Sequence, residues 1–195
     1  MPGIIRRATL ISLTLAVAAG LAAAASAQEA PRWIVDPAHS QLGYESQAEG
    51  AAFTGHFQTW DADIRFDPRQ LAQSKVAVTV DTASGVSGDA SRDQTSHGAD
   101  WFASVMFPKA SFVTKSFKDL GGGRYEADGD LTIRGVTQPL ALPFTLAITG
   151  DQAVMSGEVD VDRSLFGVGQ GDYGGADIVP LGVKVTIALQ ARLAK

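Results

Sequence analysis

Apolar and polar residues alternate along most of this chain, most regularly from Tyr125 to Ile148 and from Val183 to Leu193. Because successive side chains of a β-strand point to opposite faces, the alternation predicts strands with one apolar and one polar face. In the first segment we expect two strands joined by a turn at Gly135–Pro139. Every second residue of the later strand is large and apolar, which predicts an apolar wall roughly 27 Å long. The residues of this wall are Leu140, Leu142, Phe144, Leu146 and Ile148.

Shorter alternating segments complete the pattern, with turn residues between them. A helical signal is confined to residues 88–103, where Trp101 and Phe102 are the expected buried anchor. Parallel strands need a crossover connection for each pair, so a single helical segment favours antiparallel pairing. We therefore predict an all-β, mainly antiparallel fold that closes into an eight-stranded β-barrel with a short helical insert, because closure removes exposed strand edges. The shorter segments cover residues 53–57, 62–66, 76–80, 112–117 and 155–162.

A barrel of about eight strands is either filled by its own side chains or encloses one small ligand. The alternation is compatible with both arrangements. The sequence thus leaves open whether the apolar walls face a packed core or a cavity.

The N-terminal residues have the pattern of an export signal. Arg6 and Arg7 precede an apolar stretch, Leu10–Ala25, and an Ala25-Ser26-Ala27 cleavage box. This order of basic, apolar and small residues is typical of a secretory signal peptide. We expect residues 1–27 to be cleaved after Ala27 and residues 28–195 to form a single exported domain.

Charge and cysteine content narrow the function further. The formal net charge is −5, whereas nucleic-acid binding needs clustered basic residues to neutralise phosphates. Nucleic acid is therefore not an expected partner, and neither is electrostatic docking on an anionic membrane. The chain has no cysteine, which excludes disulfides, thiol catalysis and cysteine metal sites.

Motifs typical of catalysis or metal binding are weak. His39, His56 and His97 show no metal-ligand spacing, so no metal site is predicted. The glycine-rich segment 167–175 leads into a strand, whereas a phosphate-binding loop leads into a helix whose N-terminus supplies the amide donors. We interpret this segment as a flexible loop at the barrel rim. An enzyme is not expected.

Two arginines are candidate special residues. Arg134 is out of phase with its apolar neighbours, which predicts a solvent-facing residue beside the turn. Arg163 continues the inward phase of residues 155–161, and a buried arginine needs an anionic or carbonyl partner. Its partner is expected to be either an aspartate of the protein or the polar head of a ligand.

An ordered set of motifs spans nearly the whole of residues 28–195. In sequence they read WIVDPAHS at Trp33–Ser40, FPKASF at Phe107–Phe112, GDLTIRGVT at Gly129–Thr137 and RSLFG at Arg163–Gly167. Together they resemble the motifs of the YceI-like family. The resemblance implies a lipocalin-like barrel, exported to the bacterial periplasm, that carries a polyisoprenoid chain and has no catalytic centre.

The resemblance implies an isoprenoid lipid as partner, either an isoprenoid quinone or a polyprenyl phosphate, with no required cofactor and no stable membrane insertion. A homodimer stays open. Two competing hypotheses are a filled barrel acting in stress response or protein interaction, and a redox accessory protein that uses a bound quinone. The candidate ligand-binding residues on the inward phase are Phe53, Phe57, Ile64, Phe66, Val78, Phe112, Leu131, Ile133, Leu142, Phe144, Val159, Arg163 and Phe166.

The chain departs from the family pattern near the helical insert. The family commonly has a His-Leu pair after Arg-Asp, whereas Gln94 and Thr95 follow Arg92-Asp93 here, and His97 is the only histidine nearby. If those positions touch a ligand's polar head, the head-group preference is expected to differ in this chain.

Overall fold

Within residues 29–195, which the computed structural model describes, the chain forms eleven strands and one short α-helix. The predicted cleavage site after Ala27 lies outside the described residues. In chain order the elements are β1 (Arg32–Val35), β2 (Gln41–Ala48), β3 (Ala51–Phe57), β4 (Trp60–Arg65), β5 (Lys75–Asp81), β6 (Gly85–Val86), α1 (Ala90–His97), β7 (Lys109–Gly121), β8 (Arg124–Ile133), β9 (Val136–Thr149), β10 (Gln152–Asp162) and β11 (Gly182–Leu193).

Eight of the strands pair in a closed ring in the order β1-β4-β5-β7-β8-β9-β10-β11, and pairing of β11 with β1 completes it. Each pairing around the ring is antiparallel. The predicted eight-stranded antiparallel barrel with a short helical insert is therefore confirmed.

Strand β11 is long enough to hold two neighbours on one edge. Lys184–Ala188 pairs with β2, and further along Ala191 to Leu193 pairs with β1. Strand β3 then pairs with β2, and β6 with β3, so these strands extend the wall on one side of the ring. Helix α1 follows β6, and its Arg92 lies over the Phe53 ring of β3. Side chains of α1 line the barrel interior, so the helical insert covers the interior next to β3.

The hairpin between β8 and β9 has a tighter turn than the predicted one. Its turn residues are Arg134 and Gly135, with φ of 50° and 74°, and Ile133 pairs with Val136 across them. A two-residue hairpin turn with positive φ at both residues matches the right-handed twist of the strands that it connects. The predicted turn over Gly135–Pro139 is therefore wrong, because β9 already begins at Val136 and runs through Pro139.

Strand β9 tolerates its prolines because it is paired on one side only along its first half. The ladder with β8 covers residues 136–145, whereas the ladder with β10 covers only residues 144–149. Pro139 and Pro143 both precede that second ladder, so neither has to donate an N–H to β10. The barrel wall is consequently split between the start of β9 and the end of β10.

One end of the barrel is packed with aromatic side chains. Phe66 makes edge contacts with Phe117, Tyr125 and Phe144 at ring-centre distances of 5.1, 5.6 and 6.2 Å. The indole N–H of Trp33 donates to the Phe66 carbonyl at 2.9 Å, which satisfies the one polar group of that ring. The packed cluster forms a floor, and any cavity must lie above it.

Substitution of Gly129 by alanine tests the close packing of β7 on β8. A β-carbon at this position would lie 2.5 Å from the Val113 carbonyl oxygen and 2.8 Å from the Phe112 ring. We expect Gly129→Ala to lower the free energy of unfolding by about 1–3 kcal/mol, the usual cost of overpacking, measured by urea denaturation. Gly182→Ala is the control, because a β-carbon there meets nothing within 4 Å. Equal stability of the two variants would contradict this account of the β7–β8 contact.

Candidate ligand-binding cavity

The barrel encloses a cavity of about 610 Å³ above the aromatic floor. This volume falls within the range of roughly 300–1,000 Å³ that is usual for ligand pockets. Alternate residues of β9 and β11 supply two of its walls, which are apolar throughout. From these strands the lining residues are Leu140, Leu142, Phe144, Leu146, Ile148, Val183, Val185, Ile187, Leu189 and Ala191.

The structure brings all but one of the predicted site residues to the cavity lining. Phe66 and Phe144 belong to its aromatic floor, whereas Phe53 and Phe57 lie on the wall nearest α1. The lining residues that the sequence predicted are Phe53, Phe57, Ile64, Phe66, Val78, Phe112, Leu131, Ile133, Leu142, Phe144, Val159 and Arg163.

Phe166 is the exception. Its side chain is only 3% exposed, but it packs with Val161 and Val168 in a separate cluster and does not line the cavity. The prediction counts Phe166 among the inward residues, whereas β10 ends at Asp162 and the chain continues as a 3₁₀ turn over Arg163–Phe166. The position of Phe166 is corrected accordingly.

The guanidinium of Arg163 makes its hydrogen bonds to backbone carbonyls. The side chain is 3% exposed and donates to the Pro180, Val168, Gly169, Gly175 and Val179 carbonyl oxygens at 2.7–3.3 Å. Burial lowers the pKa of this group from its ordinary value. Among the described residues its hydrogen-bond partners include no aspartate, so the expected aspartate partner is wrong. The donors are also already engaged, which removes the head-group alternative.

These bonds give the glycine-rich segment a fixed shape. Residues 168–180 wrap around the Arg163 side chain, and a β-carbon at Gly169 would lie 2.0 Å from its Nη1. The same segment is fastened at both sides, since Glu49 N donates to the Ile178 carbonyl at 2.8 Å and Gly169 N to the Asp100 carbonyl at 2.7 Å. It is a rim loop, as predicted, but one that its own hydrogen bonds hold against the barrel.

Arg134 makes contacts within the protein that its position in the apolar–polar alternation of β8 does not predict. Its Nη1 donates to the carbonyls of Ala99 and Trp101, and its guanidinium lies 5.8 Å from the centre of the Phe107 ring. The expectation of a purely solvent-facing side chain is therefore wrong. The β8–β9 turn instead anchors the segment that follows α1.

The residues that the sequence prediction missed lie where α1 meets β2. Leu42, Tyr44 and Ser46 of β2 line the cavity, together with Arg92 of α1. The period-two signal is present in β2, but Glu45, Ser46 and Gln47 make the strand predominantly polar at its centre. A search for alternation of size, rather than of polarity alone, would have found Tyr44.

Tyr44 and Arg92 form the polar side of this end of the cavity. The Arg92 guanidinium lies 4.1 Å from the centre of the Phe53 ring and 3.7 Å from the Asp89 carboxylate. The Tyr44 ring is 6.4 Å from the Phe53 ring and lies across Gly55, where a β-carbon would meet it at 2.2 Å. Burial, followed by the nearby Asp93 carboxylate, raises the pKa of the Tyr44 hydroxyl, which therefore stays protonated at neutral pH.

Exposed residues locate the mouth of the cavity at the same end. Glu49, Asp89, Ser91 and Thr95 line the cavity and are also open to solvent. The opening therefore lies between the tip of the β2–β3 hairpin and α1, on the opposite side of the cavity from the aromatic floor. An amphiphile in this cavity would place its tail on the floor and its head near α1.

Residues 29–195 contain no group of three or more histidine, aspartate or glutamate side chains that could hold a metal ion. Over the same residues, no helix has the length and apolar character needed to cross a membrane.

Comparison with known proteins identifies the relatives of this barrel. The family model of the YceI-like domain matches residues 33–192. A UPF0312 protein of Vibrio parahaemolyticus is 33% identical over 137 residues, which cover 69% of this chain and 71% of the relative.

Solved structures of other proteins share this fold. BcnA of Burkholderia cenocepacia has a TM-score of 0.77 and 32% identity, covering 80% of this chain and 98% of that one. A polyisoprenoid-binding domain of Saccharophagus degradans has a TM-score of 0.67 over 84% of this chain and 99% of its own, and at 12% identity it supports the fold alone.

Removal of the Arg163 guanidinium tests whether it holds the rim loop. We expect Arg163→Met to lower the free energy of unfolding by about 3 kcal/mol or more, because a buried carbonyl left without its partner costs about 1–3 kcal/mol. Arg192→Met is the matched control, since that side chain is exposed on β11, and its effect should stay within about 0.5 kcal/mol. Urea denaturation measures both, and equal effects would show that the loop does not depend on Arg163.

Proposed function

The chain belongs to the YceI-like family, and on that premise we propose that it binds and carries an isoprenoid lipid inside its barrel. The proposed ligand is an isoprenoid quinone or a polyprenyl phosphate, and the proposed compartment is the bacterial periplasm. The signal-peptide pattern of residues 1–27 supports export. The structural neighbour from Saccharophagus degradans, described as a polyisoprenoid-binding domain, supports the choice of ligand.

The observation that carries the proposal is the apolar cavity with a polar mouth. Its floor and walls consist mainly of aromatic and aliphatic side chains, whereas the acidic side chains that line it, Glu49, Asp89 and Asp93, lie at the α1 end. Burial of apolar surface is favourable by roughly 25 cal/mol per Å², so a hydrocarbon chain gains affinity along the whole length of the walls. A rigid polar metabolite would leave its hydrogen-bonding groups without partners there.

The size of the expected affinity follows from the length of the tail. A chain of about 40 carbons at about 0.3 kcal/mol per heavy atom gains roughly 12 kcal/mol, which corresponds to a nanomolar dissociation constant. A ligand of that affinity stays bound through purification.

The cavity also bears on the competing hypotheses. A barrel filled by its own side chains would leave no space of about 610 Å³, so the cavity supports a carrier over a filled interaction protein. We further propose that the protein binds its lipid without chemical conversion. Redox use of a bound quinone would appear as an absorbance band that changes on addition of a reductant.

Native mass spectrometry tests the proposal directly. Protein exported to a bacterial periplasm and purified without detergent should carry a discrete adduct of several hundred daltons that organic solvent extracts. A signal for residues 28–195 alone, without uptake of added quinone or polyprenyl phosphate, would contradict the carrier proposal. The same spectrum also tests cleavage after Ala27.

Neighbouring tryptophan substitutions on β9 test where the tail lies. Leu142 lines the cavity, whereas Ala141 is exposed on the outer face. We expect Leu142→Trp to weaken binding of a prenylated quinone at least tenfold, because the indole occupies the cavity, and Ala141→Trp to leave the dissociation constant unchanged. Intrinsic fluorescence titration measures both, with circular dichroism as the check on folding. Equal affinities for the two variants would place the ligand elsewhere.

A further inference from the structure

We infer that Tyr44 and Arg92 form the head-group site of the cavity, where both side chains donate hydrogen bonds to an oxygen of the bound lipid. This inference rests on the proposed function, since the head belongs to the lipid whose tail fills the barrel. The shared chemistry is an oxygen acceptor, either a quinone carbonyl or a phosphate oxygen.

The three arginines at this end of the barrel differ in how many hydrogen bonds they donate to the protein. The Arg163 guanidinium is occupied by five carbonyls, and Arg134 donates to two. Among the described residues the Arg92 guanidinium makes no hydrogen bond, and its Nη2 forms an ion pair with the Asp89 carboxylate at 3.7 Å. Arg92 is thus a cation in the cavity lining, and its guanidinium N–H groups are available to donate hydrogen bonds to a ligand.

The second observation is the position in which Arg92 is held. Its guanidinium lies over the Phe53 ring at 4.1 Å, and the side chain is 33% exposed. Phe53 itself lines the cavity, so the arginine covers the end of an apolar wall. Contact with the ring face positions a guanidinium while its edge, which bears the N–H groups, stays free.

The third observation concerns Tyr44. Its hydroxyl has no hydrogen-bond partner among residues 29–195, although the ring is packed between Phe53 and Phe57 at 6.4 and 5.6 Å. The ring lies across Gly55, where a β-carbon would come within 2.3 Å of the hydroxyl oxygen. The glycine therefore makes room for the tyrosine on the cavity side of β3, and the phenol is a second, neutral donor in the cavity lining.

The two carboxylates next to these donors are held by hydrogen bonds to the backbone and to Ser87. Asp89 accepts from the Ser91 and Arg92 amides at 2.9 and 3.0 Å, as the N-cap of α1. Asp93 accepts from the Ser87 amide at 2.8 Å and from its hydroxyl at 2.6 Å. Both carboxylates are held in place by these bonds to Oδ1, and within residues 29–195 neither is hydrogen-bonded to the Arg92 guanidinium or to the Tyr44 hydroxyl.

The experiment compares three ligands of equal chain length: a prenylated benzoquinone, a polyprenyl phosphate and an isoprenoid hydrocarbon without a head. The test protein carries Arg92→Met and Tyr44→Phe, which keep an apolar side chain over Phe53 and an aromatic ring over Gly55. Arg192→Met is the matched control. Dissociation constants come from fluorescence titration of delipidated full-length mature protein.

We expect the unsubstituted protein to bind at least one headed ligand at least tenfold more tightly than the hydrocarbon, the effect of a hydrogen bond to a charged donor. The double variant should bind that ligand within about threefold of the hydrocarbon, with the hydrocarbon's own affinity unchanged, whereas Arg192→Met should behave like the unsubstituted protein. Loss in the quinone series identifies a carbonyl as the acceptor, and loss in the phosphate series a phosphate oxygen.

The outcomes separate this inference from the proposal on which it rests. If the unsubstituted protein binds the hydrocarbon as tightly as both headed lipids, the head-group site is refuted and the carrier function stands. If the double variant keeps its preference for a headed lipid, the site lies on other residues. If none of the three ligands binds, the carrier function itself is refuted.

Discussion

The short ladder between β11 and β1 closes the barrel, and the enclosed interior depends on this closure. Only three residue pairs make this ladder, from Trp33 with Leu193 to Val35 with Ala191. Without it the strands would form an open sheet, whose apolar face would need a second layer to cover it. The indole of Trp33 reinforces the closure from within, because it packs on the aromatic floor and donates to the Phe66 carbonyl. The closed ring and the filled end then leave a cavity with an opening towards α1.

Two arginines at the open end have different surroundings. Arg163 satisfies its donors with carbonyls of an irregular loop, and so converts a glycine-rich segment with little apolar content into a fixed rim. Arg92 lies against an aromatic ring with its donors unengaged. The same residue type thus serves as structural support at one point of the rim and as a candidate binding group at another, and the number of carbonyls within reach decides which.

The sequence predicted those parts of the fold in which alternation of polarity is strict. Strands β8, β9 and β11 and nearly all of the apolar lining follow directly from a period of two. The prediction failed where the backbone, rather than the side chain, decides. The predicted turn includes Pro139, whereas this residue lies within β9, and the partners of Arg163 are carbonyls whose positions depend on loop geometry. Tyr44 was missed because the polar residues beside it obscure the alternation of β2.

The split between β9 and β10 has a consequence for the behaviour of the protein in a concentrated compartment. A strand paired on one side only presents free backbone groups that can recruit a strand of another molecule, which is a common route to aggregation. Along Val136–Pro143 the free edge contains two prolines, each of which lacks an N–H donor and obstructs the approach of a further strand. The first half of β9 can therefore stay unpaired with β10 beside the rim loop without offering a template for an intermolecular β-sheet.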